Sequence, residues 1–139
     1  MRFVFDTNVV VSALLLANSI PRQAFDRALD NGTILLSVPV ILELADVLGR
    51  DKLNKFLFEE ERMRFLVALI KQAELVRISQ AIDLCRDAKD NKFLELAVAG
   101  AASCIVSGDK DLLVLSPFRG IPIVTPNEFL NDSTWEPVH

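Results

Sequence analysis

Phe3-Val4-Phe5-Asp6-Thr7-Asn8 constrains this chain more than any other stretch. A short apolar run with the character of a buried strand stops abruptly on a carboxylate. Comparable short runs recur along the chain, separated by segments with helical periodicity. The pattern predicts strands over 2–5, 33–37, 74–78, 103–106 and 121–124. Helices are predicted over 8–17, 21–29, 39–48, 59–73 and 93–102, with short helical turns at 109–115 and 126–130. Thr7 or Asn8 is expected to cap the first helix, and Pro21 and Pro39 suit first helical turns. Strands apolar on both faces that alternate with helices imply an α/β fold: a central parallel sheet between two helical layers.

The chain has 139 residues, the size of one domain. No linker interrupts it, so a single domain is expected over 1–131, with 132–139 a flexible tail. At 51% hydrophobic and 24% charged, the composition is that of a globular protein. It is apolar for so short a chain. One helical face, between Asn8 and Leu29 or between Phe56 and Ile70, is therefore expected to be covered by a second copy. Apolar runs are too short to cross a bilayer, and the N-terminus lacks the apolar length of a signal peptide. A cytoplasmic location with no membrane contact is expected.

Cys85 and Cys104 sit in apolar surroundings and read as buried free thiols. The single histidine is His139, which argues against histidine-based zinc, triad or general-base chemistry. The net charge of −4 does not suit a simple nucleic-acid binder. Arg50, Lys52 and Lys55 form a basic cluster near Arg62 and Arg64. All five read first as a solvated helix face.

The acidic residues carry the chemical information. Asp6 ends the first strand. Glu43 interrupts the apolar helix Val40-Ile41-Leu42-Glu43-Leu44-Ala45, where it must face solvent, a cation or a site. Asp87 and Asp90 flank a helix start one turn apart, and spacing alone leaves them as alternatives. Asp109 follows a strand through Ser107-Gly108, with Asp111 two residues on. Each aspartate has a plain alternative role as a helix N-cap. In a parallel α/β sheet, however, strand ends converge on one crevice. Acidic groups meeting there repel one another unless a divalent cation lies between them. This pattern points to a Mg²⁺ or Mn²⁺ site and to phosphate chemistry. Two other functions compete. Asp6 as a phosphate-accepting nucleophile would suit a phosphatase or phosphotransferase, but Asn8 stands where such enzymes want a second acid. A non-catalytic RNA- or protein-binding module is the other.

The sequence resembles the PIN-domain family, in its branch of bacterial toxin–antitoxin toxins. The matching pieces are Phe5-Asp6-Thr7-Asn8-Val9, Glu43-Leu44, the stretch from Asp87 through Asp90-Asn91-Lys92-Phe93-Leu94-Glu95 to Ala97, and Ser107-Gly108-Asp109-Lys110-Asp111-Leu112-Leu113. The segment from Ile121 to Leu130 closes the match. The resemblance implies a three-layer α/β/α endoribonuclease that needs Mg²⁺ or Mn²⁺. It places metal binding and catalysis on Asp6, Glu43, Asp90 and Asp109. Asn8, Ser107 and Asp111 fall on auxiliary polar positions. An RNA substrate, a homodimer and a cognate antitoxin partner are implied with it. For an RNA substrate, Arg50, Lys52 and Lys55 are the candidate contacts.

Overall fold

The computed structural model describes residues 1–135. Strands β1 (Arg2–Phe5), β2 (Thr33–Leu36), β3 (Glu74–Leu75), β4 (Cys104–Val106) and β5 (Ile123–Val124) form one sheet in the order β3-β2-β1-β4-β5. Every pairing is parallel. Around it lie α1 (Thr7–Leu15), α2 (Ile20–Asn31), α3 (Val38–Leu48), α4 (Glu59–Gln72), α5 (Asn91–Ala99), α6 (Lys110–Leu113) and α7 (Pro126–Asn131). The expected α/β/α architecture is what the chain adopts.

The centre of the sheet is fully buried. Phe3, Val4, Ile105 and Val106 are all 0% exposed. Side chains alternate between the faces of a strand, so Phe3 and Phe5 share a face. Their rings meet Phe25 of α2 and Phe129 of α7 edge-on, 5.4–6.2 Å between centroids. Helix α5, rich in small side chains, packs against β1, β2 and β4. Cys85 and Cys104 are buried and unpaired with each other, as expected. Among the described residues no helix is long and apolar enough to cross a membrane.

The structure departs from the expected elements in several places. Strand β3 is only two residues long, because only its first residues find a partner in β2. Asp6, rather than Thr7 or Asn8, caps α1, accepting the Val9 N–H at 2.9 Å. The expected tail is packed as far as Trp135, which is 6% exposed. Its indole stacks on Phe129 at 5.8 Å and meets Phe3 edge-on at 5.8 Å. The indole, together with a hydrogen bond that the Asn31 amide donates to the Trp135 carbonyl, docks residues 133–135. Residues 136–139, the rest of that tail, lie outside the described residues.

Arg62 also departs from the expected solvated face. It is 0% exposed. Its guanidinium donates to the Leu48 carbonyl at 2.6 Å, to Asn54 Oδ1 at 3.0 Å and to the Leu57 carbonyl. A longer bond at 3.3 Å reaches the Arg50 carbonyl. These acceptors include the last carbonyl of α3, a helix end that carries partial negative charge. The side chain thereby fastens the α3–α4 connection. Arg64, two residues on, behaves as expected and pairs with Glu60 at the surface.

Candidate active site

The site lies where the strand order reverses direction, between β1 and β4. Register pairs Phe5 with Val106, and Asp6 N–H donates to the Val106 carbonyl at 3.0 Å. The residues that follow the two strands, Asp6 and Ser107, are therefore neighbours. Asp6 is 5% exposed and Ser107 0%. The Ser107 hydroxyl donates to Asp6 Oδ2 and accepts the Asp109 N–H at 3.0 Å. Gly108 is the open turn between them. Asp109 in turn caps α6, its Oδ1 accepting Asp111 N–H at 2.8 Å. The alternatives of cap and site residue are thus not exclusive for Asp6 or Asp109. Each holds a helix start with one oxygen and stands in the acidic crevice.

Asp90 arrives at the same place from α5. Its side chain makes no capping bond. Instead, carboxylate oxygens of Asp90, Asp109 and Asp111 lie within 4.8 Å of one another. Asp87 is exposed and spends its Oδ1 on the Lys89 N–H at 3.0 Å. Geometry thus separates the two aspartates that spacing left open: Asp90 joins the cluster and Asp87 caps a turn. Asn91 holds the preceding segment in place, accepting Leu84 and Cys85 N–H at 3.2 and 2.8 Å.

The electrostatics of the cluster follow from this crowding. Burial, then a hydrogen bond to Asp109 and the charges of Asp109, Asp87 and Asp6, push Asp90 up to about 7. With both carboxylates ionised neither can donate, and among the described residues Asp90 Oδ2 is buried without a partner. Burial also raises Asp6, against the opposing bonds from Ser107 and Val9. The neighbouring Cys85 thiol is pushed up to about 11 by burial and by the charges of Asp90, Asp109 and Asp111. A divalent cation suits this donor set. Its oxygens are hard ligands, one of them is unpartnered, and positive charge there relieves the repulsion.

Glu43, in mid-α3, meets residues close in sequence to Asp6 and Asp90 rather than the clustered acids themselves. Its Oε2 accepts the Thr7 hydroxyl at 2.6 Å and lies 3.3 Å from Lys92 Nζ. It is not among the three clustered carboxylates. Asn8 is exposed and lines a cavity of about 330 Å³ with Asp6, Gly108, Asp109 and Pro126. Asp111 carries a salt bridge from Arg86 at 3.2 Å. Arg50, Lys52 and Lys55 are exposed at and beyond the far end of α3. Arg50 pairs with Asp46 at 3.1 Å, and among the described residues no polar contact joins the three to the site's acids. Lys92 and Arg86 are the cations beside the site that sequence reasoning missed. Lys92 gave a legible signal, a cation in a helix's first turn next to a candidate ligand. Arg86 gave none.

The PIN-domain family matches residues 2–111. The chain belongs to that family. An uncharacterized protein of Methanocaldococcus jannaschii, MJ1680, is 31% identical over 142 residues, covering 95% of this chain and 91% of its own. Among solved structures, VapBC-1 from nontypeable Haemophilus influenzae superposes with a TM-score of 0.63 at 14% identity, over 91% of this chain and 99% of that one. VapBC2 from Rickettsia felis, bound to a DNA fragment from its promoter, gives 0.62 at 16% identity, over 90% and 98%. PAE2754 from Pyrobaculum aerophilum gives 0.62 at 12% identity, over 94% and 88%. At these identities the likeness is one of fold.

Proposed function

We propose that this chain is a Mg²⁺- or Mn²⁺-dependent endoribonuclease, the toxin of a toxin–antitoxin pair. One observation carries the reading: Asp90, Asp109 and Asp111 crowd together at the sheet's switch point with a carboxylate oxygen buried and unpartnered. Membership of the PIN-domain family and the shared fold with VapBC structures support it. A cation bound there would supply an activated water and screen the phosphate's charge. Asp90 and Asp109 would hold the ion, with Asp6 next to them and Glu43 on the α3 side. Ser107 fixes Asp6, and Asn8 and Asp111 line the crevice. Arg50, Lys52 and Lys55, exposed at and beyond the far end of α3, are proposed as RNA contacts apart from the acids. The aspartyl-phosphate alternative fits less well, because both Asp6 oxygens already accept hydrogen bonds.

The antitoxin is proposed as the protein partner, and a second copy of the chain as another. Leu16, Ile20, Phe58 and Val67 leave 42–72% of their surface exposed on the helical faces expected to pair. Light scattering at micromolar concentration should give a dimer, and a monomer throughout would remove that part. The activity itself is tested with single-stranded RNA. Cleavage should require Mg²⁺ or Mn²⁺, stop in EDTA, and leave 5′-phosphate and 3′-hydroxyl ends. Cyclic 2′,3′-phosphate ends would mean that the RNA's own hydroxyl attacked, and the proposal would fall.

A further inference from the structure

Glu43 already has a cation. Its ion pair with Lys92 is sheltered, the two side chains being 25% and 19% exposed. The Thr7 hydroxyl fixes the same Glu43 oxygen. The ammonium also lies 5.9 Å from the centroid of the Phe93 ring. Lys92 stands in the first turn of α5, where the helix dipole disfavours positive charge. A lysine there gains most by swinging into water. This one is instead drawn inward and held by Glu43.

The aspartates show the opposite condition. Asp90, Asp109 and Asp111 bring oxygens within 4.8 Å of one another, and Asp90 Oδ2 has no partner. A site for two divalent ions places them about 3.5–4 Å apart with carboxylates serving both. Here a second ion on the Glu43 side would have to displace the lysine.

We propose that the Lys92 ammonium is a fixed cation of this site. It occupies the Glu43 side in place of a second metal ion, leaves the aspartates to hold a single divalent ion, and meets a non-bridging oxygen of the substrate phosphodiester. The phosphate contact rests on the nuclease reading; the ion count does not. Lys92 moves no proton in this role. It supplies charge at a defined point, its side chain already immobilised before substrate arrives.

Mn²⁺ binding to the purified chain, without RNA, tests the ion count by calorimetric titration and electron paramagnetic resonance. The wild type should bind one ion with an isolated-ion spectrum. Glu43→Gln should leave that affinity unchanged. Asp109→Asn should weaken it by more than the roughly 10–100-fold that losing an outer-sphere support costs. Lys92→Met should free Glu43 and admit a second ion, seen as a second binding event or a spin-coupled pair, whereas Lys92→Arg should not. No ion or two ions in the wild type, or a tenfold loss in Glu43→Gln, overturns the proposal. RNA cleavage then tests the phosphate contact at saturating Mn²⁺. Lys92→Met should lose kcat/KM, and Lys92→Arg should recover part of it. Full activity in Lys92→Met overturns that contact. A wild type that holds one ion and cuts no RNA would instead refute the nuclease reading and leave the ion count standing.

Discussion

Ser107 donates its hydroxyl to the carboxylate of Asp6, 101 residues earlier in the chain. The same oxygen accepts the backbone N–H of Asp109. A single buried hydroxyl thus joins the end of β1 to the turn after β4 and fixes two acids relative to each other. A serine at a strand end is an ordinary turn residue in sequence. Here it sets the geometry of the crevice.

Ser107→Ala should therefore cost stability as well as function. It leaves a buried Asp6 oxygen and the Asp109 N–H without this partner. Orphaned buried groups of this kind cost about 1–3 kcal/mol. Urea unfolding of the metal-free protein measures it, and an unchanged midpoint would show that the bond contributes nothing.

The metal-free protein should lose stability as pH rises from about 4 to about 7. Asp90 is raised from an ordinary 3.8 to about 7 in the fold. A group raised on folding stabilises below its unfolded value, and that contribution disappears as pH climbs through the folded value. The difference between wild type and Asp90→Asn melting temperatures isolates the effect, because Asn cannot ionise. Mn²⁺ should reverse the trend, since binding requires the ionised carboxylate and strengthens as the proton leaves. A flat difference profile would mean that Asp90 titrates normally.

Mn²⁺ at a hundredfold excess over its dissociation constant should stabilise the wild type by about 2.7 kcal/mol. Asp109→Asn should forfeit most of this gain. Asp109 also caps α6, and Asn caps as well as Asp. Asp109→Ala should lose the metal response and, with or without metal, about 1 kcal/mol more for the missing cap. If Ala pays the cap cost yet keeps the full Mn²⁺ response, Asp109 is a cap alone.

Arg62→Met should destabilise far more than Arg64→Met on the same helix. Removing the buried guanidinium orphans the carbonyls of Leu48 and Leu57, at about 1–3 kcal/mol for each buried group. The exposed Arg64–Glu60 pair is worth about 0.2–1 kcal/mol. Equal effects in chemical denaturation would mean that water replaces Arg62 without cost.

Much of this was legible in the sequence. Strand and helix periods placed β1, β2 and β4, and Asp6 and Asp109 do arise from adjacent strands. Glu43 in an apolar helix was expected to face solvent, a cation or a site, and it meets the cation Lys92. What was hidden depends on long-range packing. Nothing local distinguishes Arg62 from Arg64, because burial is decided by where the loop after α3 folds back. Lys92 stood beside a candidate ligand, but its pairing with Glu43 was hidden, since the two lie on different helices. The packing of Trp135 was hidden too, because its neighbours in sequence are polar and its partners Phe129 and Phe3 lie elsewhere in the chain. Arg50, Lys52 and Lys55 formed a cluster in sequence, yet the described contacts leave them apart from the acids.

Trp135 is the only tryptophan, and the chain has no tyrosine. Its indole rests on Phe129 and against Phe3, and Phe3 lies on the strand that leads to Asp6. Near-ultraviolet absorption and intrinsic fluorescence of this protein therefore come from essentially one place. Emission reports whether the last described segment is docked on the central strand, while circular dichroism reports the helices. If that segment opens as a separate cooperative unit, the two optical transitions will part. If it unfolds with the core, they will coincide, and one fluorescence trace will suffice to follow every variant above.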